Sequence, residues 1–335
     1  MKVLLAVYDK TSSGISAYTM EVANLLQKYA DMTVMSLDKI SSPFRTIFIE
    51  PSKRYRAFPL FNYLNNKKLS GSILEEFDIV HETLPPWSIG ADKYITTRWG
   101  YASFFRLTAI RLLYHPFPEN LGALPVTLQH MLLDNMSMKN ARHVVDVSLH
   151  TGNFIPPPIR IRKLKRYERG ERLKILFVSR DLGIRRKNLK CLIEALKLTS
   201  VKTELHLAGN GGINGSDEGT INHGYMPREK LTDLMYEMDL LVLPSLYEEL
   251  GYVGLEAYSI GLPVITSDIP SFRAIFKESP KFDPLKPKGL SSIIDNIASE
   301  DLEFLGQKSW NHARLSNDIA RKKFLSLYSS VIEES

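Results

Sequence analysis

Strand-length apolar runs alternate with helical patterns along this chain, and that alternation restricts it to parallel sheets covered by helices. Residues 2–8, 31–37 and 77–81 read as buried strands, with a helix over 16–30 between the first two. Shorter apolar runs lie at 95–98 and 143–148. The second half repeats the pattern more plainly, with runs of strand length at 173–179, 203–208, 219–225, 239–244 and 262–267. Helices are expected over 189–198, over 228–238 with Pro227 at the first position, and over 254–260. Ile155 is followed by Pro156, Pro157 and Pro158. Three prolines continue neither element type and make a stiff spacer. The domain boundary is placed there, between two doubly wound α/β halves of similar size. Ligands of such folds bind where the carboxyl ends of the strands line a cleft.

A length of 335 residues fits two domains, and 44% apolar with 24% charged residues excludes a disordered chain. The single cysteine, Cys191, allows no internal disulfide. Beside Leu192, Ile193 and Ala195 it reads as a buried thiol, which fits a reducing compartment. No run approaches the roughly 18 apolar residues of a membrane span. The opening residues reach Asp9 too soon for a signal peptide. A soluble, cytoplasmic protein is expected, with any membrane contact peripheral.

The net charge is +6, and residues 160–174, with eight cations against two acids, carry all of it. Residues 51–74 and 93–118 contain no acid at all. There Lys53, Arg54, Arg56, Lys67 and Lys68, then Lys93, Arg98, Arg106 and Arg111, are interleaved with aromatics. Such patches suit phosphate, an anionic membrane or nucleic acid; the plainer alternative is a solvated face over an aromatic core. No nucleic-acid recognition motif accompanies them, so no nucleic-acid partner is expected.

Several chemistries are missing. There is no phosphate loop with a Gly-Lys-Ser/Thr ending. Gly209-Asn210-Gly211-Gly212 begins like a dinucleotide fingerprint, but Asn214 stands where the third glycine belongs. No two aspartates are two residues apart, and no Cys or His pair has ligand spacing, so no metal site is expected.

One window stands out, from Leu243 to Ala257. A buried strand ends at Pro244-Ser245, an acidic turn follows, and Gly251 opens a helix that carries Glu256. The backbone N–H groups of Leu250, Gly251, Tyr252 and Val253 then form a helix N-terminus at the carboxyl end of a strand, which suits a diphosphate. Glu248 and Glu256 cannot bind that anion. They suit the hydroxyls of a sugar or ribose, whereas Glu249 is read as favouring the helix N-terminus.

This window resembles the signature of retaining glycosyltransferases of family 4, which have the GT-B fold. Pro244, Ser245, Glu248, Gly251, Leu255, Glu256, Ala257, Gly261, Pro263 and Val264 carry the resemblance. It implies two Rossmann-like doubly wound domains facing a central cleft. They would be an acceptor-side domain over 1–155 and a nucleotide-sugar domain over 156–315. A C-terminal helix over 316–335 would pack back on the first domain. Arg180 and Lys187 resemble the family's diphosphate-binding cations, although Asn188 stands where glycine often follows the lysine. Gly224 resembles the turn beside the nucleobase, and Ser13-Gly14 the family's Gly-Gly loop without its first glycine. The family often has a histidine in the first domain near the reacting sugar. Here Thr96-Thr97-Arg98-Trp99-Gly100 occupies that region, so Arg98, with Trp99 beside it, or His81 is the acceptor-side candidate. His130, His143, His150 and His223 are read as structural.

The resemblance implies retaining transfer of a sugar from a UDP- or GDP-sugar to a glycan or lipid-linked acceptor, without metal or cofactor. Arg180, Lys187 and the helix N-terminus would hold the leaving diphosphate. Glu248 would orient the donor sugar and Glu256 the ribose. A phosphorylase, a sugar-nucleotide epimerase and a non-catalytic subunit of a glycosylation complex are the alternatives. Polysaccharide or glycolipid synthesis, peripheral on the inner face of a membrane, is the expected setting.

Overall fold

The computed structural model describes residues 1–7, 14–36, 42–49, 73–83, 94–98, 138–139, 141–147, 153–168, 170–211 and 219–334. The chain divides into two compact units, Met1–Pro158 with Ser316–Ser335, and Ile159–Leu315.

The first unit holds strands β1 (Lys2–Val7), β2 (Asp31–Ser36), β3 (Arg45–Phe48), β4 (Ile79–Glu82), β5 (Tyr94–Arg98) and β6 (His143–Asp146), with helix α1 (Gly14–Leu26) after β1. All pair in parallel, in the order β3-β2-β1-β4-β5-β6. Val3 to Val7 of β1 are fully buried, as a central strand covered on both faces requires. Leu4, Ala6, Met35, Val80 and Tyr94 pack into one apolar cluster. β3 lies outside the expected strands: it is a four-residue exposed edge, and its apolar run is only Ile47 to Ile49.

The second unit holds β7 (Leu173–Asp181), a 3-10 turn (Arg185–Lys187), α2 (Leu189–Leu196), β8 (Thr203–Asn210), β9 (Thr220–Asn222), α3 (Arg228–Glu237) and β10 (Leu240–Leu243). These are followed by α4 (Tyr252–Ile260), β11 (Val264–Ser267), α5 (Pro270–Ile275), β12 (Lys281–Phe282) and α6 (Pro287–Ser299). The parallel sheet runs β12-β11-β10-β7-β8-β9. Taken from its own first strand, this order repeats that of the first unit. Each sheet therefore reverses direction once, between β1 and β4 and between β7 and β10. Ligands of doubly wound folds bind at that reversal, outside the carboxyl ends of the strands. Cys191 is buried on α2 in the apolar core of this unit, and burial pushes its thiol up to about 11.

Helix α7 (Leu302–Glu333) begins in the second unit and ends in the first. In the first unit its Phe324, Tyr328 and Val331 are fully buried, and Lys323 Nζ donates to the Phe154 carbonyl at 2.8 Å. No helix among the described residues is long and apolar enough to cross a membrane.

Candidate donor site

Two loops meet at the strand reversal of the second unit. One leaves β7, whose end holds Arg180, and carries Arg186 and Lys187; the other leaves β10 and carries Ser245 to Gly251. The Leu246 N–H donates to the Arg186 carbonyl at 2.8 Å, so the loops are tied backbone to backbone. Asn188 strengthens the tie. Its side-chain amide donates to the carbonyls of Pro244 at 3.1 Å and Pro284 at 2.8 Å. Its φ of 58° makes it the only non-glycine residue in the left-handed region among the described residues. Asparagine tolerates that conformation, which explains how it serves where glycine is the usual residue.

Glu248 lies where the loops touch. Its Oε2 accepts from Arg186 Nη1 at 3.0 Å and from Lys187 Nζ. No partner for its Oε1 is found among the described residues. Burial alone would raise this carboxyl, but Lys187 and Arg186 hold it below its ordinary value. Ser271 Oγ donates to the Glu248 carbonyl at 2.5 Å and fixes the turn from below. Arg180, exposed on β7, has no ion-pair partner among the described residues.

Gly251 caps α4 at its amino end with φ 63°. A Cβ there would lie 2.6 Å from Phe272 on α5, so position 251 has neither the conformation nor the room for a side chain. The Gly254 N–H donates to the Gly251 carbonyl at 2.8 Å, which places the amides of Tyr252 and Val253 in the first turn. Leu250 and Tyr252 are buried and Val253 is half-buried. Glu256, one turn into α4, pairs through Oε1 with Arg228 Nε. Burial raises its carboxyl, with Arg228 and Arg162 opposing that rise.

Gly224, φ 66°, forms the turn after β9, with open space where a Cβ would stand. Its N–H donates to Asn222 Oδ1 at 2.9 Å, and its carbonyl accepts from the Gly209 N–H at 2.8 Å. His223, beside it, shares a 2.9 Å hydrogen bond with His206. Pro227 is the cap of α3, one residue earlier than the sequence reading places it.

On the acceptor side the structure sets the two candidates, His81 and Arg98, apart. His81 is fully buried, with Nδ1 2.8 Å from the Tyr328 hydroxyl and Nε2 2.8 Å from Thr97 Oγ1. Burial lowers its pKa to about 3. With both nitrogens engaged and no exposure it cannot meet an acceptor, and it serves to anchor α7. Arg98 donates to both carboxylate oxygens of buried Asp146, through Nη2 at 2.7 Å and through Nε. Its charge is thereby matched within the sheet. Trp99 lies outside the described residues. Gly14 is exposed as the first residue of α1, and Ser13 lies outside the described residues.

Arg186 and Arg228 join the site without appearing in the sequence reading. Arg186 stands in a run of three cations, Arg185 to Lys187, which is a signal in itself; Arg228 leaves none beyond its place after Pro227.

Two six-stranded parallel sheets of one strand order, with cations and paired carboxylates at the reversal of the second, define the GT-B architecture. Residues 172–297 match the family model for glycosyl transferases group 1. Over 154 residues the chain is 29% identical to the O-antigen chain mannosyltransferase B of Escherichia coli, covering 41% of this chain and 39% of that protein. The chain spans about two fifths of the length of the curated relatives it matches. Whole-chain likeness is found to sucrose-phosphate synthase from Thermosynechococcus elongatus, with TM-score 0.72, 15% identity and full coverage of both chains. It is also found to Anabaena HepE in complex with UDP, with TM-score 0.68, 15% identity, and coverage of 98% of this chain and 100% of that one. At these identities the two structures establish the shared fold.

Proposed function

We propose that the chain is a retaining, metal-independent glycosyltransferase that moves a sugar from a UDP- or GDP-sugar to a glycan or lipid-linked acceptor. The observation that carries this reading is the meeting of Arg186 and Lys187 with Glu248, just ahead of the amino end of α4 and at the carboxyl ends of β7 and β10, where Arg180 also stands. Three cations and first-turn amides suit a leaving diphosphate, whose charge grows as the glycosidic bond breaks. Each signature carboxylate has one oxygen held by an arginine and the other without a protein partner among the described residues. A carboxylate so fixed accepts from hydroxyls, Glu248 from the donor sugar and Glu256 from the ribose. Neither serves as a nucleophile; the departing phosphate assists deprotonation of the acceptor on the same face of the sugar. The mannosyltransferase relative and the UDP-bound neighbour support this donor chemistry. Action on the inner face of a membrane fits the cationic segment after the prolines.

The test is a thermal-shift screen of UDP- and GDP-sugars in EDTA, followed by NMR of the product with a lipid-linked glycan acceptor. A stabilising donor and a product that keeps the donor's anomeric configuration are expected, since a ligand of the folded state raises its stability by mass action. An inverted product, or turnover abolished by EDTA and restored by manganese, would overturn the proposal.

A further inference from the structure

The guanidinium of Arg228 lies over the Tyr252 ring, 5.3 Å from its centre, while its Nε holds Glu256 Oε1. Tyr252 and Glu256 are four residues apart and share one face of α4. Arg228 is the first residue of α3 and follows the Gly224 turn by four positions. It thus links the proposed nucleobase turn to the proposed ribose carboxylate. From this juxtaposition we propose that Arg228 is the positioning residue for the donor's ribose: it pins one oxygen of Glu256 and so aims the other at the vicinal hydroxyls. The inference rests on the donor-site reading above.

Three observations support it. Glu256 has a side chain only 15% exposed, whereas that of Arg228 is 41% exposed, so the arginine reaches in from the rim to a carboxylate that α4 buries. Buried carboxylates without a cation tend to take up a proton, and a protonated Glu256 would be a poorer acceptor for two hydroxyls. The Tyr252 ring gives the guanidinium a second contact beside Glu256, and a lysine reproduces the charge but not the fork that serves both. Glu248 repeats the device, with Arg186 and Lys187 on one oxygen.

The experiment is calorimetry on the full chain in EDTA, with UDP and GDP and the 2′,3′-dideoxy analogue of whichever binds. The wild type is expected to prefer the ribonucleotide by about tenfold or more, as two hydrogen bonds to a charged acceptor allow. Arg228→Met should lose that preference while its affinity for the dideoxy form stays within about twofold of wild type. Arg228→Lys should restore part of the preference. Such a ratio is insensitive to a general loosening of the fold, which lowers both affinities together. Preference retained in Arg228→Met but lost in Glu256→Gln overturns the inference and leaves the donor reading standing. An equal fall for both nucleotides in Arg228→Met also overturns it. Preference retained in Glu256→Gln, or no nucleotide bound by the wild type, overturns the donor reading and this inference with it.

Discussion

Arg186 and Lys187 converge on one oxygen of Glu248, so the cations proposed for the diphosphate are already gathered before any donor arrives. Preorganised charge costs no rearrangement when the leaving group forms, and removing one such donor commonly lowers rate about a hundredfold or more. Lys187→Ala and Arg180→Ala should each show a loss of that size in kcat/KM while melting near the wild-type temperature. Near-normal kinetics in either would mean that the diphosphate lies elsewhere. The two glutamates separate differently. Glu256→Gln should weaken nucleoside diphosphate and donor alike, because its partner is the ribose. Glu248→Gln should leave nucleoside diphosphate binding nearly intact and impair transfer. Equal affinity losses in calorimetry would refute the division. Glu248 and Glu256 were legible in the sequence because their spacing with Gly251 and Pro263 is local. Arg228 was not, because its partner lies 28 positions away and only the approach of α3 to α4 brings them together.

In the second unit β10 and β11 were readable because burial on both faces gives each a short apolar run, as in Leu240 to Leu243. Among the short or weakly buried elements, β3, β12 and α5 were not. β3 is an exposed edge, and α5 has six residues, too few for a helical period to declare itself. α6 lies outside the expected elements although Leu290, Ile294 and Ile297 recur at helical spacing after Pro287. The omission of α5 matters, since its Phe272 closes the space at Gly251. Gly251→Ala must take a left-handed φ and displace that ring. Destabilisation of about 2–4 kcal/mol is expected from the two effects together, read by urea denaturation. A loss below about 1 kcal/mol would show that the turn can relax.

The α7 anchor in the first unit carries its own pH dependence. His81 has a pKa near 6.5 in an unfolded chain and about 3 in the fold. The unfolded chain therefore binds the extra proton between these values. The contribution of a neutral, buried His81 is full above about pH 6.5 and declines toward pH 3, by up to about 1.4 kcal/mol per pH unit. His81→Gln removes this dependence. The stability gap between wild type and His81→Gln should be widest at pH 8 and narrow steadily at pH 6 and pH 5. A gap that stays constant over that range would contradict the buried neutral histidine.

At the scale of the whole molecule, the repeated strand order gives each unit one reversal point, and the segment 160–174, at the start of the second unit, carries the net charge. Of its cations, Arg160, Arg162, Lys163 and Arg166 are exposed, whereas Lys165 is buried and donates to the Tyr236 carbonyl at 2.6 Å. The segment is held extended against the second unit. The Arg162 and Lys165 N–H groups donate to the carbonyls of Ser259 and Ile260, and Trp310 Nε1 donates to the Arg162 carbonyl. Four exposed cations within seven residues, on a fixed backbone, would each be drawn to an anionic bilayer by about 1 kcal/mol. Of the acid-free stretches, residues 51–72, 93 and 99–118 lie outside the described residues. Co-sedimentation with phosphatidylglycerol vesicles should therefore pellet the protein at low salt and release it at high salt, where screening shortens the reach of each charge. Changing Arg160, Arg162, Lys163 and Arg166 together to Gln should move a substantial part of the low-salt pellet to the supernatant. If the wild type stays in the supernatant at low salt, the membrane setting is wrong. If the fourfold variant pellets like wild type, the cations of 51–74 and 93–118 account for the attraction instead.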